Sequence, residues 1–141
     1  MRDRPAVAGG RDDILSDNAN LTGKRLLIVE DDYFIASDLK RALEAHGITV
    51  VGPVGRVADA LALIERERID VAMLDVNLGN AMCFPIAERL RTCGVPFLFL
   101  TGYDAWTLPE SLRDVRLLVK PFDSAAVVAA VRNLCEMEKV R

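Results

Sequence analysis

Residues Arg25–Asp32 read RLLIVEDD: four apolar residues in a row, closed by three consecutive acids. A near-continuous apolar run of this length predicts a strand buried on both faces, as parallel strands sandwiched between helices are. The period then changes. In Tyr33–Ala45 the residues Ile35, Leu39, Ala42 and Leu43 recur at helical spacing, and His46-Gly47 supplies a C-terminal stop. The unit is thus a strand, a cluster of acids at its carboxyl end, and an amphipathic helix.

Outward from that unit the same alternation repeats. Further strands are expected at Thr49–Gly52, Val71–Leu74 (VAML), Phe97–Leu100 (FLFL) and Leu117–Val119, which makes five with the first. Helices are expected at Val57–Arg68, with Ala58, Leu61 and Ile64 inward and Glu65–Arg68 outward, and at Pro85–Arg91, where a first-turn proline costs no hydrogen bond. A last helix, capped by Asp123 or Ser124 and running through Glu138, turns Val127, Val128, Val131 and Leu134 to the sheet. Pro109 and the scarcity of apolar residues in Asp104–Asp114 argue for a short or mobile helix there. Strands alternating with helices define an α/β fold with a doubly wound parallel sheet and helices on both faces.

A length of 141 residues suits one domain, expected over Lys24–Arg141. Met1–Gly23 has no apolar periodicity and is read as a mostly disordered leader, with a short helix around Asp13–Asn18 left open. A hydrophobic share of 51% with 28% charged residues is that of a globular protein. The formal charge of −3, from 18 basic and 21 acidic residues, gives no positive field for nucleic acid. No run approaches a membrane span or a secretory signal, so a cytoplasmic protein is expected. Cys83, Cys93 and Cys135 lack paired spacing and are expected to be reduced, which agrees with that compartment.

The chemistry lies in where the polar residues fall. Glu30, Asp31 and Asp32 follow the first strand, Asp75 the third, Thr101 the fourth and Lys120 the fifth. In an open parallel sheet the carboxyl edge forms the ligand crevice, deepest where strand order reverses. With order 2-1-3-4-5 the first and third strands are neighbours and the acids converge. Clustered carboxylates repel one another and call for a cation, and Mg²⁺ suits a site of one or two carboxylates, a carbonyl and a phosphoryl oxygen. Asp31 and Asp75 are the expected direct ligands, Glu30 acts through water, and the Asn77 carbonyl completes the set. Asp75 is then the nucleophile that forms an acyl phosphate, while Lys120 and the Thr101 hydroxyl meet negative charge on the phosphoryl oxygens. Gly102 keeps the approach open. Taken singly, each has a duller reading: the acids a solvated turn complementing a helix dipole, Asp75 a loop residue, Thr101 a strand-end cap, Lys120 a surface charge. Their coincidence on one sheet edge disfavours that reading.

The set VEDD (Val29–Asp32), LDVNL (Leu74–Leu78), TG (Thr101-Gly102) and VKPF (Val119–Phe122) resembles the receiver domain of two-component response regulators over Lys24–Glu138. The resemblance implies a flavodoxin-like fold and a phosphoryl group taken on Asp75 from a sensor histidine kinase with Mg²⁺. It also implies self-dephosphorylation as the only catalysis, a cis peptide before Pro121, and output through a downstream protein by a monomer or weak dimer. PFLFLTGY (Pro96–Tyr103) is similar to the signature of a receiver subfamily, often stand-alone, with a Phe-Ala-Thr-Gly-Tyr-like motif; Leu100 departs from its usual alanine. Most receivers carry Tyr or Phe three residues before the lysine, where this chain has Leu117. An ordering of Asp104–Asp114 is therefore expected to report phosphorylation in place of an aromatic swing, and Tyr103 to shield the acyl phosphate from water. Two rivals are a phosphatase of the haloacid dehalogenase type and an unphosphorylated interaction module. The first puts its nucleophile after the first strand in a DxD motif, whereas Asp75 follows the third and Asn77 holds the second acidic position. The second leaves Asp75, Thr101 and Lys120 without a purpose.

Overall fold

The computed structural model describes residues 21–102 and 108–140. Strands β1 (Arg25–Val29), β2 (Thr49–Val54), β3 (Val71–Asp75), β4 (Phe97–Thr101) and β5 (Leu117–Val119) form one sheet in the order β2-β1-β3-β4-β5. All four pairings are parallel. Among the described residues four helices connect and cover the strands: α1 (Tyr33–Glu44), α2 (Val57–Arg66), α3 (Phe84–Cys93) and α4 (Ser124–Val140).

The apolar strand runs serve two cores at once. On one face Leu26 and Ile28 of β1 pack with Val71, Met73, Leu98 and Leu100 beneath Leu39 and Leu43 of α1 and Val127 and Val131 of α4. On the other, Leu27 and Val29 pack with Ala72, Leu74, Phe97 and Phe99 beneath Ala60 of α2 and Ile86, Ala87 and Leu90 of α3. Side chains alternate between faces with a period of two, so a strand covered on both sides must be apolar at every position.

The element ends shift from expectation in informative ways. β3 and β4 each run one residue further, so Asp75 and Thr101 are the last residues of their strands. β2 continues to Val54 through a cis Gly52-Pro53 bond, where the pairing with β1 is irregular. α2 stops at Arg66 because Glu67 is already extended, at ψ 148°. α3 gains residues at both ends, Phe84 to Cys93, and closes on Gly94 at φ +74°, a left-handed turn glycine adopts without penalty. α4 continues past Glu138 to Val140. The cis Lys120-Pro121 bond implied by the resemblance is present.

Of Asp104–Asp114, residues 104–107 lie outside the described residues. The remainder holds a single 3-10 turn, Glu110–Leu112, anchored by Leu108 and Leu112, both buried. The possible helix at Asp13–Asn18 also lies outside the described residues. Leu21, on the leader side of the boundary expected at Lys24, is fully buried against α1 and α4.

Leu90 is fully buried under the α2 and α3 face. Leu90→Ala is expected to destabilise the fold by about 3 kcal/mol, through lost burial plus the cavity left behind. Urea unfolding followed by circular dichroism measures it.

Candidate functional site

Glu30 (3% exposed), Asp75 (6%) and Thr101 (3%) are the buried polar residues among those described. All three stand at the carboxyl edge of the sheet, held there by the backbone. Glu30 N donates to Val54 O (2.9 Å), Val76 N to Leu100 O (3.0 Å) and Lys120 N to Thr101 O (2.7 Å). Strand pairing therefore fixes the residues after β1, β3 and β5 before any side chain is considered. Asp75 lies opposite Leu100 in the ladder, and Thr101 opposite Val119.

The side chains converge. Lys120 Nζ lies 3.1 Å from Asp75 Oδ2, to which it donates, and 2.9 Å from Glu30 Oε1. Glu30 Oε2 accepts from the Asp32 N–H at 3.0 Å. Oε1 is buried and its contact with Lys120 falls outside hydrogen-bonding geometry, so that oxygen is paired by charge alone. Carboxylate oxygens of Glu30, Asp31 and Asp75 lie within 4.8 Å of one another. Three carboxylates thus face one ammonium, a net negative pocket with hard oxygen donors that fits a divalent cation such as Mg²⁺.

The pocket perturbs its own members. Burial pushes the Glu30 carboxyl from its ordinary value of 4.5 up to about 7, with the charge of Asp75 adding to the rise and the Asp32 N–H and Lys120 opposing it. Burial pulls the Lys120 ammonium down, but its close contacts with the opposite charges of Glu30 and Asp75 outweigh that and leave it above its ordinary value. The Cys83 thiol is pushed up to about 12, first by burial and then by the charge of Asp75.

Sequence reasoning missed three local features. Asp32 turns away from the pocket and caps α1, its Oδ1 accepting from Phe34 N (2.9 Å) and Ile35 N (3.1 Å); an aspartate just before an apolar-periodic run is the signal that would have found it. Gly55 and Gly79 make room for Asp31: a Cβ on Gly55 would lie 3.0 Å from Asp31 Cα, and one on Gly79 3.3 Å from Asp31 Oδ2. Asn77 is exposed beside the pocket, its side-chain oxygen accepting from Gly79 N at 2.9 Å, in a loop pinned by Leu78 N to Ala81 O and Cys83 N to Val76 O. Leu117 is partly buried opposite Phe99, at the position where the sequence already departs from the Tyr or Phe of most receivers. Tyr103 lies outside the described residues.

Residues 26–132 match the family model of the response regulator receiver domain. The chain belongs to the response-regulator receiver family. This receiver is 41% identical to SdrG from Sphingomonas melonis Fr1, whose solution structure it matches with a TM-score of 0.71 over 79% of this chain and 96% of that one. The response regulator PhyR from Brucella abortus superposes with a TM-score of 0.74 at 26% identity, over 92% of this chain and 54% of that one. Transcriptional regulatory protein PdtaR of Mycobacterium tuberculosis is 30% identical over 112 residues, covering 77% of this receiver and 55% of that protein. The receiver spans about half the length of the curated relatives it matches. Among its described residues no helix is long and apolar enough to cross a membrane.

Two outcomes follow from the electrostatics. A carboxyl whose pKa is raised on folding binds its proton more tightly when folded, so its ionisation weakens the fold as pH rises from about 4.5 to about 7. Chemical denaturation in metal-free buffer should show that decline for the native chain and a flatter profile for Glu30→Gln. Thiol alkylation near neutral pH should modify the exposed Cys93 and spare the buried Cys83 and Cys135, as intact and peptide mass would show.

Proposed function

We propose that this receiver accepts a phosphoryl group on Asp75 from a sensor histidine kinase in a Mg²⁺-dependent step, and passes the signal on by contact with a downstream protein. The observation that carries the reading is the Lys120 ammonium held between the buried carboxylates of Glu30 and Asp75, with Asp31 in the same cluster. An acceptor carboxylate in a crevice needs positive charge already aimed at it, because phosphoryl transfer is catalysed mostly by positioning and by neutralising charge on the equatorial oxygens.

In the transfer an Asp75 oxygen bonds to phosphorus as the phosphorus–nitrogen bond of the donor phosphohistidine breaks, its electron pair returning to the imidazole. Lys120 is placed to exchange a carboxylate contact for a phosphoryl oxygen. Thr101, one strand over, offers its hydroxyl to another, and Gly102 leaves the approach unobstructed. Asp31, Asp75 and the Asn77 carbonyl would hold the ion, with Glu30 reaching it through water, and the bound ion supplies further charge neutralisation. Self-dephosphorylation is the only turnover this reading assigns. Its setting is the cytoplasm. Tyr33 and Phe34, an exposed edge-to-face pair beside Asp32 at the start of α1, give a partner protein apolar surface next to the pocket.

Incubation with acetyl phosphate and Mg²⁺, followed by intact mass, should show one phosphoryl adduct. Asp75→Asn or chelation of the ion should abolish it, and Lys120→Ala should slow its formation about 100-fold, the scale expected for losing one transition-state donor. An adduct that survives Asp75→Asn would contradict the proposal.

A further inference from the structure

Within the pocket Asp31 is held differently from its neighbours. Glu30 and Asp75 are buried and both contact Lys120, whereas Asp31 is exposed. Among the described residues no hydrogen bond or ion pair holds its carboxylate. Its place in the cluster is set by its backbone and by what stands against it.

The backbone is fixed on both sides. Before Asp31, Glu30 N donates to Val54 O at 2.9 Å. After it, the Asp32 N–H donates to Glu30 Oε2 at 3.0 Å, while Asp32 Oδ1 caps α1. Two glycines from other connections then close on it. Gly55 and Arg56 are the whole link between β2 and α2, and the pairing of Val29 with Val54 brings that link level with the residues after β1. A Cβ on Gly55 would lie 3.0 Å from Asp31 Cα and 3.2 Å from Asp31 Cβ. Gly79, in the loop after β3, would set a Cβ 3.3 Å from Asp31 Oδ2, with no other described atom beyond its chain neighbours within 4 Å.

Glycine is needed for different reasons at the two positions. Gly79 has φ +80°, which other residues adopt only at a cost. Gly55 lies outside the left-handed region, so its φ admits a side chain, and contact with Asp31 is what excludes one. Carbon atoms in favourable contact lie about 3.5–4.0 Å apart, so a methyl group at position 55 would push Asp31 Cα away by roughly 0.5 Å or more. Mg²⁺ demands near-octahedral ligands at about 2.0–2.1 Å and tolerates little displacement.

We propose that Gly55 and Gly79 are positioning residues of the ion site. Their missing side chains let two loops close on Asp31, Gly55 against its backbone and Gly79 beside its carboxylate, and keep that exposed ligand in register with Asp75. The β2–α2 link contributes none of the assigned ligands, yet it sets how tightly the ion is held. The inference rests on the ion site of the proposed function and concerns its affinity.

The test titrates Mg²⁺ into the metal-free full chain, with the amide shifts of Asp31, Asp75 and Asn77 as the readout. Gly55→Ala should weaken binding about 10-fold, the scale on which changes outside the ligand set act on metal affinity. Asp31→Ala should weaken it as well, and in that background Gly55→Ala should add no further loss, because a residue that acts through Asp31 loses its effect with the carboxylate. A residue that merely supported the fold would add its loss in either background. Gly79→Ala should also weaken binding. Gly94→Ala, at φ +74° with no described atom beyond its chain neighbours within 4 Å, carries comparable backbone strain and should leave affinity unchanged. That second pair decides the question if Gly55→Ala does not fold. Full affinity in Gly55→Ala, losses that multiply in the double variant, or equal losses in Gly79→Ala and Gly94→Ala overturn the proposal and leave the ion site standing. A native chain that binds no Mg²⁺, or whose affinity survives Asp31→Ala, overturns the ion site and this proposal with it.

Discussion

Three carboxylates are brought within 4.8 Å of one another at the edge of a sheet whose interior is apolar, and a single lysine stands between two of them. That imbalance of charge organises the rest of the site. Glu30 and Asp75 are buried because β1 and β3 are the central neighbours of the sheet, covered on both faces. Their desolvation would be costly without a counter-charge, and Lys120 supplies it from the end of β5, two strands from β3. The ammonium does not balance the pocket completely. On the proposed function, the remaining negative charge is what a divalent ion would neutralise.

The fold and the pocket were legible to different depths. The strand order was readable because acids at the ends of the first and third strands have a common purpose only if those strands are neighbours. The two-faced core was readable from RLLIV and FLFL, since only a strand covered twice excludes polar residues at every position. Strand ends were less legible: Asp75 and Thr101 read as the residues just after their strands because they are polar, whereas the ladder carries them as buried terminal strand residues. The polar residues of the motif all read alike in sequence, yet Asp32 serves helix α1 and Glu30 serves the pocket. Only the direction of the backbone at the end of β1 separates them.

The segment after β4 shows where composition misleads. Pro109 and sparse apolar residues argued against a long helix, and the described part forms one 3-10 turn. Its two leucines are nevertheless buried, which a count of apolar residues does not reveal. Leu117 joins the same core. Leu108, Leu112 and Leu117 thus share an aliphatic cluster with Phe99 on the side of the sheet where the resemblance led one to look for an aromatic ring.

The central claim is that the Glu30, Asp31, Asp75 and Lys120 pocket is built around a phosphoryl group on Asp75. A crystal structure grown with Mg²⁺ and beryllofluoride, which mimics an acyl phosphate, tests it most directly. Beryllium is expected bonded to an Asp75 oxygen, with the ion among Asp31, Asp75 and the Asn77 carbonyl and Lys120 Nζ moved from Glu30 to a fluorine. Density for beryllofluoride away from Asp75, or an empty pocket with Lys120 still bridging Glu30 and Asp75, would contradict it.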